Sequence, residues 1–188
     1  LLTASLSATL PLSAASHVDV VKMRTENQVN PLGIGTSTPR FSWQITSDRK
    51  GVVQTSYQIL VASSREKLDR NEADLWDSGE RNSDEQLWIP YQGKTLLSGA
   101  QAYWKVRITT NKGKSEWTEP QLFTIGLLGE TKWSGTWIGL EDLQPGEQKG
   151  MHTRLAARYI RKDFAAKGKV KRAVAYVAGL GVYEVYVN

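Results

Sequence analysis

The side chains able to do chemistry are few, and their types limit what they can do. The 188-residue chain has no cysteine. That excludes disulfides, thiolate zinc sites and a cysteine nucleophile. Its two histidines, His17 and His152, fall in an apolar leader and a polar loop. A Ser-His-Asp triad or a histidine-rich metal site is therefore not expected. The carboxylates gather in polar turns: Glu66, Asp69, Glu72 and Asp74, then Asp84 and Glu85. Solvated carboxylates of this kind are ordinarily surface charge, and a general acid needs an environment that keeps its proton. Gly33-x-Gly35 and Gly179-x-Gly181 are not phosphate loops, since neither opens a predicted helix and both lack a third glycine. No residue of the chain is assigned a catalytic or metal-ligating role, and no cofactor is called for.

The net charge is +5, but it is local. Residues 149–172 hold nine Lys/Arg against the single acid Asp163, and the remaining 164 residues sum to −3. The basic stretch spans two expected strand segments and a Gly/Lys turn, not one continuous helix. It reads as a solvated face, and no nucleic-acid partner is expected.

These side chains must be positioned by strands. Seven Trp and seven Tyr in a chain of this length favour half-buried β structure. Val18–Glu26 suits an edge strand. In Phe41–Ile45 the residues Phe41, Trp43 and Ile45 share one face, and in Gln54–Ala62 the residues Tyr57, Ile59 and Val61 do so. Ser63 and Glu66 have capping-box spacing, so a short helix is expected to end near Asn71. Leu75–Gly79 and Leu87–Tyr91 read as short strands, the second limited by Pro90. Trp104, Val106 and Ile108 line one face of Tyr103–Thr110, and Asn111–Lys114 makes a hairpin turn into Gln121–Ile125. About seven short strands at this spacing specify an all-β antiparallel sandwich over residues 18–127.

The texture then changes. Residues 128–150 read as a linker. Tyr159–Phe164, Arg172–Ala178 and Val182–Val187 read as three strands of a second β-sandwich over 151–188, incomplete because three strands cannot enclose a core. A turn glycine is expected after Asn188. Residues 1–17 are small and apolar, uncharged, and end in Ser13-Ala14-Ala15-Ser16. They read as a signal-peptide remnant, with a flexible arm as the alternative. Export to the periplasm or medium follows from the first reading. No stretch is apolar enough to span a bilayer.

Two local patterns resemble fibronectin type III modules and their relatives. Leu97-Ser98-Gly99-Ala100-Gln101-Ala102-Tyr103 resembles that family's tyrosine corner. Ser115-Glu116-Trp117-Thr118 resembles the Trp-Ser-x-Trp-Ser element of related receptor modules. Trp117 is then expected to lie over Arg107 or Lys105 as a structural staple, each contact worth roughly 0.5–1 kcal/mol.

A narrower resemblance runs along nearly the whole chain. Its pieces are Asn30-Pro31-Leu32-Gly33, Pro39-Arg40-Phe41-Ser42-Trp43, Gln54-Thr55-Ser56-Tyr57, Leu75-Trp76-Asp77-Ser78-Gly79 and Tyr103-Trp104-Lys105-Val106-Arg107. Trp133…Trp137-Ile138, Tyr159–Phe164 and Gly179–Asn188 follow in order. The ordered set is similar to the N-terminal region of bacterial α-L-rhamnosidases, which are inverting glycoside hydrolases. That resemblance implies a fibronectin-like domain ahead of a second sandwich, with catalytic glutamates on a distant helical barrel. It implies downstream domains of the same polypeptide as partners and carries no catalytic residue onto this chain. Inverting hydrolysis needs two carboxyl groups about 6.5–9.5 Å apart, one with a raised pKa, and the turn acids do not read as such a pair.

The alternatives are a stand-alone carbohydrate- or protein-binding module and an architectural spacer. For binding to rhamnose-containing or other glycans, Trp76, Trp88 and Tyr91 are the candidate stacking residues, set on short strands or rims. The competing reading is that these rings pack the sandwich or a domain interface.

Overall fold

Alternating apolar and polar side chains produce two facing antiparallel sheets in the computed structural model, which describes residues 18–129, 133–139, 146–147 and 157–187. Three strands, β1 (Val18–Thr25), β2 (Arg40–Ser47) and β6 (Ile89–Pro90), form one sheet in the order β1-β2-β6. The other sheet is built on β3 (Gln54–Ala62) and β7 (Gln101–Thr110), paired from Gln54↔Thr110 to Ala62↔Tyr103. On β3 pair the short β4 (Trp76–Asp77) and β5 (Arg81–Asn82); on β7 pair β8 (Gly113–Lys114) and β9 (Gln121–Thr124). The turn into β8 uses Gly113 at φ +133°, a conformation that glycine adopts without steric cost.

The inward residues meet as the alternation specifies. Phe41 and Trp43 come from one sheet; Ile59, Val61, Trp104, Val106, Ile108 and Phe123 come from the other, and all are essentially buried. Phe41 lies 4.4 Å from the Trp104 ring and 5.8 Å from Phe123, centroid to centroid. Trp43 is edge-on to Tyr57 at 5.3 Å. One polar relay enters this core. Trp43 Nε1 donates to Gln54 Oε1 at 3.0 Å, and Gln54 Nε2 donates to the carbonyls of Ser83 and Glu85. The buried amide thus has its bonds made, and it ties the β5–β6 connection to the core.

The outward face of the β3–β7 pair is covered in part by the helix α1 (Arg65–Asp69). Leu60, Ala62 and Leu68 bury together there, with Tyr103 and Trp117 against them. The helix begins one residue later than the Ser63–Glu66 spacing predicts. Ser64 is the N-cap and accepts from Lys67 N. Ser63 is taken by Asp74, to which both its backbone N–H and its hydroxyl donate.

The chain divides into two units, Leu1–Trp133 and Ser134–Asn188. Among the described residues of the second, the expected strands Tyr159–Phe164, Arg172–Ala178 and Val182–Val187 do not form. Tyr159, Phe164, Leu180, Val182 and Tyr186 are each more than four-fifths exposed. Alternation specifies a face, but a strand also needs a neighbour for its backbone N–H and C=O groups and a layer to bury that face. The leader at residues 1–17 and the turn at Asn188 lie outside the described residues, as does much of the 128–150 linker.

Candidate functional site

The charged and aromatic residues singled out by sequence fall into two places on the sandwich. The first is the outer face of β7. Lys105 and Arg107 alternate with the inward Trp104, Val106 and Ile108, so both cations point away from the core. Trp117 lies over them, with Lys105 Nζ 5.1 Å and Arg107 Cζ 4.4 Å from its ring. Lys105 is 5% exposed. Its ammonium donates to the Leu68 carbonyl at the end of α1 and, at 2.7 Å, to Asn71 Oδ1. Burial pushes its pKa down, while the helix C-terminus and the ring favour the cation. Arg107 Nη2 donates to Gln58 Oε1 at 3.0 Å. These contacts fasten α1 and the β8–β9 connection to the sheet.

The second place is around the short β2–β6 pairing, where the candidate stacking rings separate. Tyr91 is 3% exposed. Its hydroxyl donates at 2.7 Å to the Lys94 carbonyl, and its pKa is pushed up to about 12, by burial first and then by the Asp74 charge. Trp76 is half-buried and meets Tyr91 edge-on, the planes 76° apart; it also stacks on Phe41 at 6.3 Å. Trp88 is the exposed ring of the three, at 41%. Of the three candidate stacking rings, Trp76 and Tyr91 thus follow the competing reading, core and rim packing, and do not form a platform with Trp88. Gly93 explains the tightness, since a Cβ there would come within 2.4 Å of the Leu75 carbonyl and 2.6 Å of the Tyr91 hydroxyl.

Trp88 has surroundings that the sequence did not disclose. Its backbone is left-handed, φ +59°, a costly conformation for a bulky residue. Its N–H donates to the buried Ser42 Oγ at 3.0 Å, and the Arg40 guanidinium lies 4.2 Å from its ring. Arg40 in turn grips Glu26. The Glu26 carboxylate accepts from Arg40 backbone N, Nε and Nη2 at 2.7, 3.1 and 2.8 Å. That side-chain pairing holds the Glu26 pKa below the usual range against a smaller burial effect.

The tyrosine corner takes another form. Leu97 is exposed, and the Tyr103 hydroxyl accepts from Gln101 Nε2 at 2.6 Å. Among the described residues, the carboxylates with displaced pKa values are Glu26, Glu66, Glu72, Asp74 and Glu80, and every one is lowered. At Asp74 burial pushes upward, but bonds from Lys67 and from the Ser63 amide and hydroxyl outweigh it and hold the group at about 2. None of these five keeps the proton a general acid must donate. Among the described residues, no group of three or more His, Asp or Glu is placed to hold a metal ion. No helix among them is long and apolar enough to cross a membrane.

Two facing antiparallel sheets, closed over an aromatic core and stapled by Trp117, define an immunoglobulin-like β-sandwich. Residues 20–129 match the family described as Rha78A-like, N-terminal immunoglobulin domain, and the chain belongs to that family. It is similar to an alpha-L-rhamnosidase of Formosa agariphila, 34% identical over 92% of this chain and 20% of the relative. An alpha-L-rhamnosidase of an Alteromonas species is 36% identical over 87% of this chain and 18% of the relative. The chain thus spans about a fifth of the length of these relatives. Among solved structures, the Streptomyces avermitilis alpha-L-rhamnosidase complexed with L-rhamnose superimposes with a TM-score of 0.61 at 36% identity. That match covers 65% of this chain and 12% of the other. The alpha-L-rhamnosidase from Dictyoglumus thermophilum has the same TM-score at 34% identity, over 66% and 14% of the two chains.

Proposed function

We propose that this chain is the non-catalytic N-terminal accessory region of an exported glycoside hydrolase that removes terminal α-L-rhamnose with inversion. The observation that carries the reading is the family match over residues 20–129 in a sandwich whose perturbed carboxylates are all held ionised. Inverting hydrolysis requires one carboxyl with a raised pKa facing a second across the bond to be cleaved. The relatives are about five times longer, which leaves ample chain for a separate catalytic domain. The sandwich then acts as a rigid first module that the downstream domains of the same polypeptide pack upon. Export rests on the small-residue run Ser13-Ala14-Ala15-Ser16.

The test is hydrolysis of an aryl α-L-rhamnoside by the 188-residue chain beside a full-length relative. The chain is expected to match the buffer blank while the longer protein turns over. Release of rhamnose by the chain alone would overturn the non-catalytic reading. Fractionation of bacteria expressing the parent protein tests export separately: recovery of a processed form outside the cytoplasm supports it, and an intact cytoplasmic leader contradicts it.

A further inference from the structure

A cleft of about 610 Å³ opens beside Arg40, bordered by Glu26, Gln28, Ile34, Thr36 and Thr38. We infer that this cleft is a binding subsite for a neutral pyranoside, held by the Arg40–Glu26 pair and the Thr36 and Thr38 hydroxyls. The inference does not rest on the proposed function, because the ligand class follows from the cleft's own groups.

Its volume lies within the ordinary range for small-ligand clefts, about 300–1,000 Å³. Its chief polar feature is rigid. The guanidinium is fixed in its plane by the bidentate fork to Glu26 and braced by the Trp88 ring, so little side-chain entropy is lost when a ligand binds. The fork occupies Nε and one Nη2 proton, which leaves Nη1 to donate to a ligand oxygen, while Glu26 retains lone pairs that accept. A donor and an acceptor side by side suit the vicinal hydroxyls of a sugar ring.

Charge decides between a neutral and an anionic sugar. The Arg40 charge is already matched by Glu26 in contact, so a carboxylate or sulfate entering the cleft would gain little from Arg40 and be repelled by Glu26. Thr36 and Thr38 hydroxyls bond one another at 3.3 Å, and Thr36 Oγ1 also accepts from Thr38 N at 3.2 Å; the hydroxyl capacity that remains is neutral and can donate or accept. Ile34 supplies apolar backing. Glu26 and Asn27 have positive φ as the central pair of the tight turn closed by Thr25 and Gln28, which fixes the Glu26 carboxylate at the rim of the cleft. Trp88 is a positioning residue here, acting through Arg40.

The experiment is a titration of the ¹⁵N-labelled 188-residue chain, followed by NMR, with methyl α-L-rhamnopyranoside, methyl β-D-glucopyranoside and sodium glucuronate in separate arms. At least one neutral glycoside is expected to give saturable shifts at the Gly33, Gly35 and Arg40 amides, with a dissociation constant of order 1 mM. Glucuronate is expected to bind at least about tenfold more weakly, the cost of a like charge at Glu26. Thr36→Val combined with Thr38→Val leaves the fold intact and weakens the neutral glycoside about fivefold, the loss of one or two modest hydrogen bonds. Glu26→Gln reverses the preference towards glucuronate by uncovering the Arg40 charge, and Trp88→Phe, which keeps a ring under Arg40, retains binding that Trp88→Gly loses. No saturable shift in either neutral arm up to about 50 mM, far above that affinity, would overturn the subsite. Equal or tighter glucuronate binding would overturn its neutral specificity. Unchanged selectivity in Glu26→Gln would remove the Arg40–Glu26 pair from the site.

Discussion

Residues 18–129 and residues 157–187 carry the same kind of sequence pattern and have opposite structures. In β7, Trp104, Val106 and Ile108 alternate with polar partners and are fully buried. In 182–187, Val182, Val185 and Tyr186 recur in a comparably apolar run and stand exposed. The difference is the neighbours. β7 has β3 along one edge and β9 along part of the other, with β2 facing it across the core. The 157–187 segment has no strand partner among the described residues. A periodic pattern is thus a necessary condition for a strand, and pairing completes it.

Substitutions in the two regions sharpen this contrast. Trp104→Ala removes the ring that joins the sheets and should cost about 3–5 kcal/mol, read from urea unfolding of the chain. Phe164→Ala or Tyr183→Ala should move the same transition by less than about 0.5 kcal/mol. Comparable losses at both places would erase the distinction between the regions. Gln54→Leu should cost about 2–4 kcal/mol, since it strands Trp43 Nε1 and two backbone carbonyls inside the sandwich. A neutral result would show the relay to be dispensable. Trp117→Ala should cost about 1–2 kcal/mol, the sum of two cation–π contacts and some lost packing. It should also increase hydrogen exchange in α1, whose Leu68 carbonyl depends on Lys105.

A smaller effect than those in the core is in pH. Asp74 sits at about 2 when folded, below its unfolded value near 3.9. Between those values the unfolded chain binds the extra proton, so the stabilisation is complete above about pH 5 and is lost as pH falls from about 4 to 2. The Lys67–Asp74 pair is about a third exposed, which limits the loss to about 1 kcal/mol. Asp74→Asn should flatten this part of the acid-unfolding curve; an unchanged slope would assign it to other carboxylates.

What was legible depended on sequence distance. β3 occupies the residues its alternation marks, Gln54–Ala62, and the β7 cations reach Trp117 across one hairpin, because both lie on ordered local structure. The helix start was displaced by one residue because Asp74, eleven positions away, captures Ser63. The pairing of Arg40 with Trp88 joins residues 48 apart through a left-handed backbone, and no local pattern announces it. Trp76 and Tyr91 looked like rim residues on short strands. Gly93 lets the loop close over them, a packing effect invisible without coordinates. Trp88, the one ring of the three that stays exposed, lies against the cleft residue Arg40.

Native-state hydrogen exchange on the 188-residue chain tests the central contrast most directly. Amides of β3 and β7, Val61 and Val106 among them, should exchange only through global unfolding, while amides of 157–187 should exchange near unprotected rates. Protection in 157–187 equal to that of β3 and β7 would contradict the account, because it would require strand pairing that the structure does not contain.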